Sequence, residues 1–383
     1  MQLKKTITVV FLFFCCWTVT AQNTECEQTL IQAADEFNSG HFYEIPSLLK
    51  PCLDKNDFTK EQRVRAYLLL SQAYLIIDDP IAAEDSYLKL LRADPEYVAT
   101  KEKDPIDVVY LSTKFTSTPI FTPHAGIGAN VSFVRTIWDN SVIPTAYKTK
   151  QILKPGFMVG GGMDWNINEH WSVCADVILS YKTFKTTKIF ENVPSLPLSL
   201  NGKSIVIEKQ YWMDVPLYLK YTVSKGQIRP FGYVGYAVNS LLGSKGSLEY
   251  DAQTGSSVVP STGQDEKFTY RRMSLNSSLV LGGGVRYKIG TDYLYADVRY
   301  MAGLYNLVGR NIYGPTPGNP TNAAQVGKFA NSPDAPFYFY VDSYFRLDNL
   351  SVSFGYVRPL YKPRKIKRAR TKSVFRKIRR EEK

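Results

Sequence analysis

GFMVGGGMDWNINEHWSVCADVILSY, residues Gly156–Tyr181, reads as a strand, a tight turn at Asn168-Glu169 and a second strand. In the first strand Phe157, Val159, Met163, Trp165 and Ile167 take the odd positions, and Met158, Gly160, Asp164 and Asn166 the even ones. The second strand repeats the split, with Trp171, Val173, Ala175, Val177, Leu179 and Tyr181 against Ser172, Cys174, Asp176, Ile178 and Ser180. Side chains alternate faces along a strand, so one face of this hairpin is apolar and the other mixed-polar. Each strand is about as long as a tilted bilayer crossing requires, roughly 9–11 residues.

The same pattern extends from Pro119 to Tyr361, where eight strands are predicted: Phe121–Arg135, the two of the hairpin, Ile205–Val223, Gln227–Asn239, Arg272–Ile289, Tyr293–Leu304 and Tyr344–Tyr361. Tight turns at Asn168-Glu169, Ser224-Lys225-Gly226 and Gly290-Thr291-Asp292 alternate with long polar loops near 136–154, 185–203, 243–267 and 305–343. Short turns at one end and long loops at the other are the mark of outer-membrane barrels, and eight strands put both barrel ends on the short-turn side. Charge sorting separates a membrane barrel from a soluble one. The apolar rows of the second, third, fourth, sixth and seventh strands carry no Lys, Arg, Asp or Glu through the span, whereas the facing rows hold Asp164, Asp176, Asp214, Lys220, Arg286, Lys288, Asp297 and Arg299. Both signs on one row predict paired residues in a polar lumen, with Asp164 and Asp176 partnered by Arg286, Lys288 or Arg299. Such a lumen, with Tyr218, Tyr233, Tyr293 and Tyr295 added, is expected to be plugged.

Ahead of the barrel, residues 22–98 are helical in pattern and residues 99–118 form a charged connector with room for one more helix. Leu30, Ala33, Ala34 and Phe37 recur at helical spacing before Asn38-Ser39-Gly40 stops the run. Gln62–Ile77 and Ile81–Leu91 then form a pair separated by Asp78-Asp79-Pro80. Over Val64–Tyr97 this pair resembles a tetratricopeptide repeat, a unit of about 34 residues. Tyr67, Leu70, Tyr74, Ala83, Tyr87 and Pro95 occupy the matching positions, while Ser71 stands where Gly or Ala is usual. The resemblance implies binding of a protein segment; a helical cap with no ligand of its own is the alternative. Cys26 and Cys52 bracket a short helical segment of an exported chain, and a disulfide between them is expected. Cys174, on the polar face of the hairpin, reads as a small filler.

The ends set the compartment. Lys4-Lys5, the apolar run Val9–Trp17 and Val19-Thr20-Ala21 predict a signal peptide over residues 1–21, and Phe14 directly before Cys15 argues against a lipoprotein signal. Between Lys362 and Lys383 lie 12 Lys/Arg and two Glu, so most of the formal charge of +12 belongs to this tail. An exported basic tail points to headgroups, acidic polymers or a partner protein in the periplasm rather than to nucleic acid. The three histidines, His41, His124 and His170, have no metal-ligand spacing and read as structural, and no cofactor is expected. Gly160-Gly161-Gly162 and Gly282-Gly283-Gly284 lie inside strands, so they are not phosphate loops and instead allow close packing.

With the end Thr20-Ala21-Gln22, the Gly-rich strands Phe157–Trp165 and Leu279–Tyr287 and the strand-end aromatics, the chain resembles outer-membrane barrel proteins of Bacteroidota, of the PorT-like and OmpA/OmpX-like eight-stranded kinds. Some such relatives serve type IX secretion or gliding. The expected fold is thus α+β and multidomain: signal peptide, tetratricopeptide-like module (22–98), connector (99–118), eight-stranded antiparallel transmembrane β-barrel (119–361) and basic periplasmic tail (362–383). The expected function is a non-enzymatic outer-membrane anchor for a periplasmic interaction module. Its partners are lipid and the protein partners of residues 22–98 and the tail, in a secretion or assembly complex. A small channel and an outer-leaflet lipid-modifying enzyme are the alternatives.

Overall fold

The computed structural model describes residues 24–139, 147–190, 202–254, 257–262, 266–309 and 342–366. The predicted signal peptide, most of the loop at 305–343 and the tail beyond Ile366 lie outside them. The chain divides into two compact units, Pro119–Leu360 and a second that joins the preceding residues to the segment from Tyr361 onward.

The helical unit contains α1 (Thr24–Ser39), α2 (Ile45–Asp54), α3 (Lys60–Ile76), α4 (Pro80–Ala93) and α5 (Ile106–Ser112). Local chemistry sets the ends. Gly40, at φ +87°, takes the left-handed conformation that lets the His41 N–H reach back to the Glu36 carbonyl at 2.9 Å, closing α1. Thr59 and Gln62 form a reciprocal capping box at α3, and Asp79 caps α4 ahead of Pro80. A Cys26–Cys52 disulfide ties α1 to α2. Leu30, Ala33, Ile45, Leu49 and Phe58 pack around it with the buried face of α3. Between α3 and α4, Ala83 and Tyr87 are buried and Tyr67 and Tyr74 pack against them half-buried; Leu70 and Pro95 are buried too. The connector supplies α5, whose Val108 and Leu111 close this second cluster.

A small clasp completes the unit. Strand β1 (Phe115–Thr116) pairs antiparallel with Arg364–Lys365, the last of the thirteen strands among the described residues (β13). Phe115 packs on Tyr87 with ring centroids 5.4 Å apart, and the Tyr361 hydroxyl donates to Glu96 at 2.7 Å. Glu84 accepts from Lys114 at 3.2 Å and from Lys365. These bonds, that of Lys365 foremost, hold its carboxyl below the ordinary range. The basic segment therefore begins as part of a folded unit, which its composition did not suggest.

The second unit is a closed ring. Strands β2 (Phe121–Trp138), β4 (Pro155–Asn166), β5 (Trp171–Phe190), β6 (Gly202–Thr222), β7 (Ile228–Thr254), β10 (Leu275–Ile289), β11 (Asp292–Gly303) and β12 (Tyr344–Val357) pair antiparallel in that order. β12 returns to β2, so no edge is left. Asn168 makes the first turn by accepting from the N–H groups of His170 and Trp171, and Gly226 and Gly290 make the next two at positive φ. The chain enters and leaves at this tight-turn end, where the Leu360 N–H meets the Phe121 carbonyl at 3.1 Å.

The strand positions differ from the sequence reading at the opposite end. Residues read as polar loop are strand: β3 (Tyr147–Leu153) pairs with β5, β7 runs on to Thr254, and β8 (Ser257–Thr262) and β9 (Glu266–Lys267) pair with it. Outward positions of the ring are large, apolar and exposed, among them Phe157, Val159, Leu179, Leu217, Leu281 and Phe354. Aromatics gather at two levels. Trp165, Trp171, Tyr221, Tyr287 and Tyr356 lie near the tight turns; Phe157, Tyr181 and Tyr211 lie ten or so residues away along their strands, with successive ring centroids 5.2 Å apart.

Candidate functional site: the barrel interior

Inward rows of the ring are short of space, and glycine provides it. A Cβ on Gly282 would collide with the Tyr233 ring, and one on Gly162 with the Asp176 carboxylate. The room so created holds a stack of buried polar side chains in three levels.

Nearest the tight turns, Asp164 accepts from Lys220 Nζ at 2.5 Å and from Arg286 Nη2 at 2.7 Å. Asp176 accepts from Arg299 Nη2 at 3.0 Å and from the Tyr218 hydroxyl at 2.8 Å. His124 of β2 stands between the two carboxylates, its Nε2 3.0 Å from Asp176 and its Nδ1 3.5 Å from Asp164. Asp297 accepts from the hydroxyls of Tyr233 and Ser353, with Arg299 Nη2 at 3.8 Å. The Arg299 guanidinium lies over the paired rings of Tyr218 and Tyr233, 5.5 and 5.3 Å from their centroids. Excluding His124, this level sets three carboxylates against Lys220, Arg286 and Arg299.

At mid-height Asp214 accepts from Lys182 Nζ at 3.0 Å, Ser180 at 2.7 Å and Asn239 at 2.6 Å, and Lys182 also lies over the Trp212 ring. Across the lumen, Asn349 bonds Asn130 and Ser132. Further up, Glu208 accepts from Arg272 through Nε at 2.8 Å and Nη2 at 2.6 Å, and from Ser244 and Gln210. Arg272 Nη2 also donates to Asp342 at 2.9 Å. An apolar cluster of Phe184, Trp212, Leu241, Leu307, Val308 and Phe345 fills the same end. Three cavities lined by described residues of the lower and middle interior have volumes of about 10 to 20 Å³, room for roughly one water each.

The eight charged positions read from the sequence all lie on inward rows, and two of the expected partnerships form, Asp164 with Arg286 and Asp176 with Arg299. Asp164 is held by Lys220 together with Arg286, and Asp214 by Lys182 on the neighbouring strand. Lys288 is half-buried on the Arg286 row, nearer the turn at Gly290. Three participants were missed: His124, read as an ordinary strand-end histidine, Lys182, and the Glu208–Arg272–Asp342 group. Row parity already turned His124 inward; what it bridges depends on register across β2, β4 and β5. Cys174 is a buried free thiol beside Ser172 Oγ at 3.6 Å. Among the described residues, no group of three or more His, Cys, Asp or Glu is placed to hold a metal ion.

Residues 123–309 match the family described as "Outer membrane protein beta-barrel domain". This segment is just under half of the chain, and it is similar to the β-barrel domains of outer-membrane proteins. The matched segment runs from the first strand of the ring to just beyond β11; β12 and the helical unit fall outside it. Similar solved structures include OprG of Pseudomonas aeruginosa, at 12% identity over 65% of this chain and 98% of that one, with a TM-score of 0.33. Neisserial surface protein A aligns at 14% identity over 63% and 97%, with a TM-score of 0.27. The outer membrane protease OmpT of Escherichia coli aligns at 8% over 66% and 98%, also at 0.27. Likenesses at this level carry no argument about activity. No curated protein matches the chain.

Proposed function

We propose that this protein is a non-enzymatic outer-membrane anchor whose barrel crosses the bilayer and whose helical unit works as a protein-interaction module in the periplasm. The apolar outer wall supports the crossing. From Tyr211 to Tyr221 the outward row of β6 covers ten residues, about 34 Å along the strand. Tilted at about 45°, that is roughly 24 Å of height, close to the apolar band of about 25 Å in outer-membrane barrels. Lys or Arg at the middle of that band would cost about 2–4 kcal/mol each, and the outward rows between the two aromatic levels carry none.

The observation that carries the scaffold reading is the filled interior. A lumen with cavities of about one water apiece, its charges locked in pairs, offers neither a path for solutes nor an accessible site for chemistry. Activity is then left to what hangs from the tight-turn end, where both barrel ends lie. In this reading the tight turns face the periplasm, the α3–α4 pair with Tyr67, Leu70, Tyr74, Ala83, Tyr87 and Pro95 is a tetratricopeptide-like binding unit, and the basic tail adds a second contact. The assembly served is a secretion or assembly complex of the outer membrane. Mild crosslinking and pull-down from outer membranes tests it, using the full chain and a chain lacking residues 22–98. Loss of specific partners on deletion is expected; an unchanged partner set refutes the module's role. Silent planar bilayers are expected as well, and stepwise conductance would refute the sealed lumen.

A further inference from the structure

The clasp runs one step further than its two strand residues. The Ile366 N–H continues the ladder past Lys365 by donating to the Lys114 carbonyl at 2.8 Å. The chain thus reaches Ile366 beside the end of α5, with the Lys365 side chain anchored on Glu84 of α4. Around this point the helical unit turns apolar side chains to solvent. Tyr110, four residues before Lys114 and 5.8 Å from its ammonium, is 62% exposed. Ile81, one turn along α4 from Glu84 and on the same side of the helix, is 80% exposed. Ile366 is itself 48% exposed.

The charge of this face is one-sided. Asp78, Asp79, Glu84 and Asp85 fall within eight residues that hold no Lys or Arg, and Asp107 is exposed on α5. Asp79 caps α4 and Asp85 is paired with Lys89 at 2.8 Å, but among the described residues no cation pairs with Asp78 or Asp107. Residues 24–118 as a whole carry 17 Asp/Glu against 10 Lys/Arg. The sequence after Ile366 is their complement. Residues 367–380 hold eight Lys/Arg, no Asp or Glu, and the apolar Val374, Phe375 and Ile378. A segment tethered directly to a formed contact meets its target at an effective concentration of about 1 mM, so a face that binds the free segment with a Kd of about 1 mM is already half covered.

We propose that residues 367–380 dock on the α4–α5 face of their own helical unit, basic side chains along Asp78, Asp85 and Asp107 and apolar ones against Ile81 and Tyr110. The unit is then closed on this side by its own chain, and a partner that draws the tail away uncovers Ile81 and Tyr110. The test uses the full chain and a chain ending at Ile366, both folded in neutral detergent, with a fluorescent peptide of residues 367–383 as probe. Anisotropy at physiological salt gives the peptide's Kd. The shortened chain is expected to bind it with a Kd below about 1 mM, and the full chain about tenfold more weakly, because its own tail competes. In the shortened chain, Asp78→Asn/Ile81→Ser/Asp107→Asn/Tyr110→Ser is expected to weaken binding at least about tenfold. Asp35→Asn/Tyr43→Ser, exposed on α1 and the turn after it, is expected to leave it unchanged. No binding by the shortened chain at about 1 mM overturns the proposal, as does equal binding by the full and shortened chains. Unaltered binding by the four-residue variant overturns the assigned face. A peptide with Val374→Ser/Phe375→Ser/Ile378→Ser that binds as well as the original reduces the contact to charge attraction and overturns docking. Full chain that sediments as a dimer, and as a monomer once shortened, makes the occupant a second copy's tail and overturns the contact within one chain. Loss of partners on deleting residues 22–98 reads the module and not this contact, so the two can fail separately.

Discussion

Replacing Asp164 by alanine is expected to cost the barrel about 3–5 kcal/mol. The carboxylate has no exposure and is shared by Lys220 and Arg286, whose side chains are 4% and 12% exposed. Its loss leaves two neighbouring cations, with His124 beside them, in a space too small to hydrate them. Removing one partner of a buried ion pair typically costs about 3–5 kcal/mol, because the other charge stays buried and uncompensated. Arg286 can recover part of this by swinging toward the nearby mouth; Lys220 cannot. Taking out the cation as well should therefore repair much of the damage. Asp164→Ala/Lys220→Met is expected to be more stable than Asp164→Ala alone, with a coupling of about 2 kcal/mol or more in a double-mutant cycle. Urea unfolding in detergent, followed by tryptophan fluorescence and by the heat-dependent gel shift, provides the free energies. A cost below about 1 kcal/mol for Asp164→Ala, or additive single and double variants, would refute the argument that the lumen charges are held as pairs.

Three further outcomes are expected. Cys26→Ser/Cys52→Ser opens a cross-link between residues 26 apart, worth about 3.5 kcal/mol in the chain-entropy model, so limited proteolysis should cut the helical unit much faster while the barrel resists. Glu84 has a depressed pKa in the folded state, so its contribution to the clasp is present above the usual carboxylate value of about 4.3 and is lost as pH falls through the folded value. The Ile366 N–H donates to the Lys114 carbonyl, so its protection factor against hydrogen exchange should fall on acidification, and Glu84→Gln should flatten that dependence. Gly282→Ala should displace the Tyr233 ring and cost about 1–3 kcal/mol, whereas Gly232→Ala, whose nearest neighbour would be 3.8 Å from the new Cβ, should stay within about 0.5 kcal/mol in the same unfolding assay.

Much of the ring was legible because its physics is local. A strand with lipid-like surroundings outside and a polar stack inside must alternate, and Phe157–Trp165 or Leu279–Tyr287 display that alternation without ambiguity. The pattern fades where both faces become polar. From Gly243 to Thr254 one row carries Gly, Lys, Ser, Glu, Asp and Gln and the other opens with Ser and Gly, so the continuation of β7 read as loop. Pairings inside the lumen were legible only in part. Asp164 with Arg286 and Asp176 with Arg299 lay within the expected set, whereas Lys220 reaches Asp164 across the ring from a strand not adjacent to its own, and no spacing in the chain encodes such a meeting. Asp214 and Lys182 are on adjacent strands, yet their pairing still needed the register. The helical unit was legible through its breaks at Asn38-Ser39-Gly40 and Asp78-Asp79-Pro80 and its Ala83–Tyr87 face, while its clasp, two residues long on each side, lies below what any pattern can announce.

That clasp carries an order of assembly. Phe115 and Lys365 are partners from opposite ends of the barrel sequence, and β13 is synthesised only after every strand of the ring. Bringing such distant points together in an unstructured chain would cost about 5 kcal/mol of closure entropy, far more than two residues of pairing return. Once β12 has docked on β2, the bond between Leu360 and Phe121 already holds the two ends side by side, and only a few residues on each arm remain to be ordered. The helical unit thus receives its last strand after the barrel has closed. A chain stalled before the ring closes would present α5 and Phe115 without their cover, so an unfinished barrel leaves an unfinished helical unit.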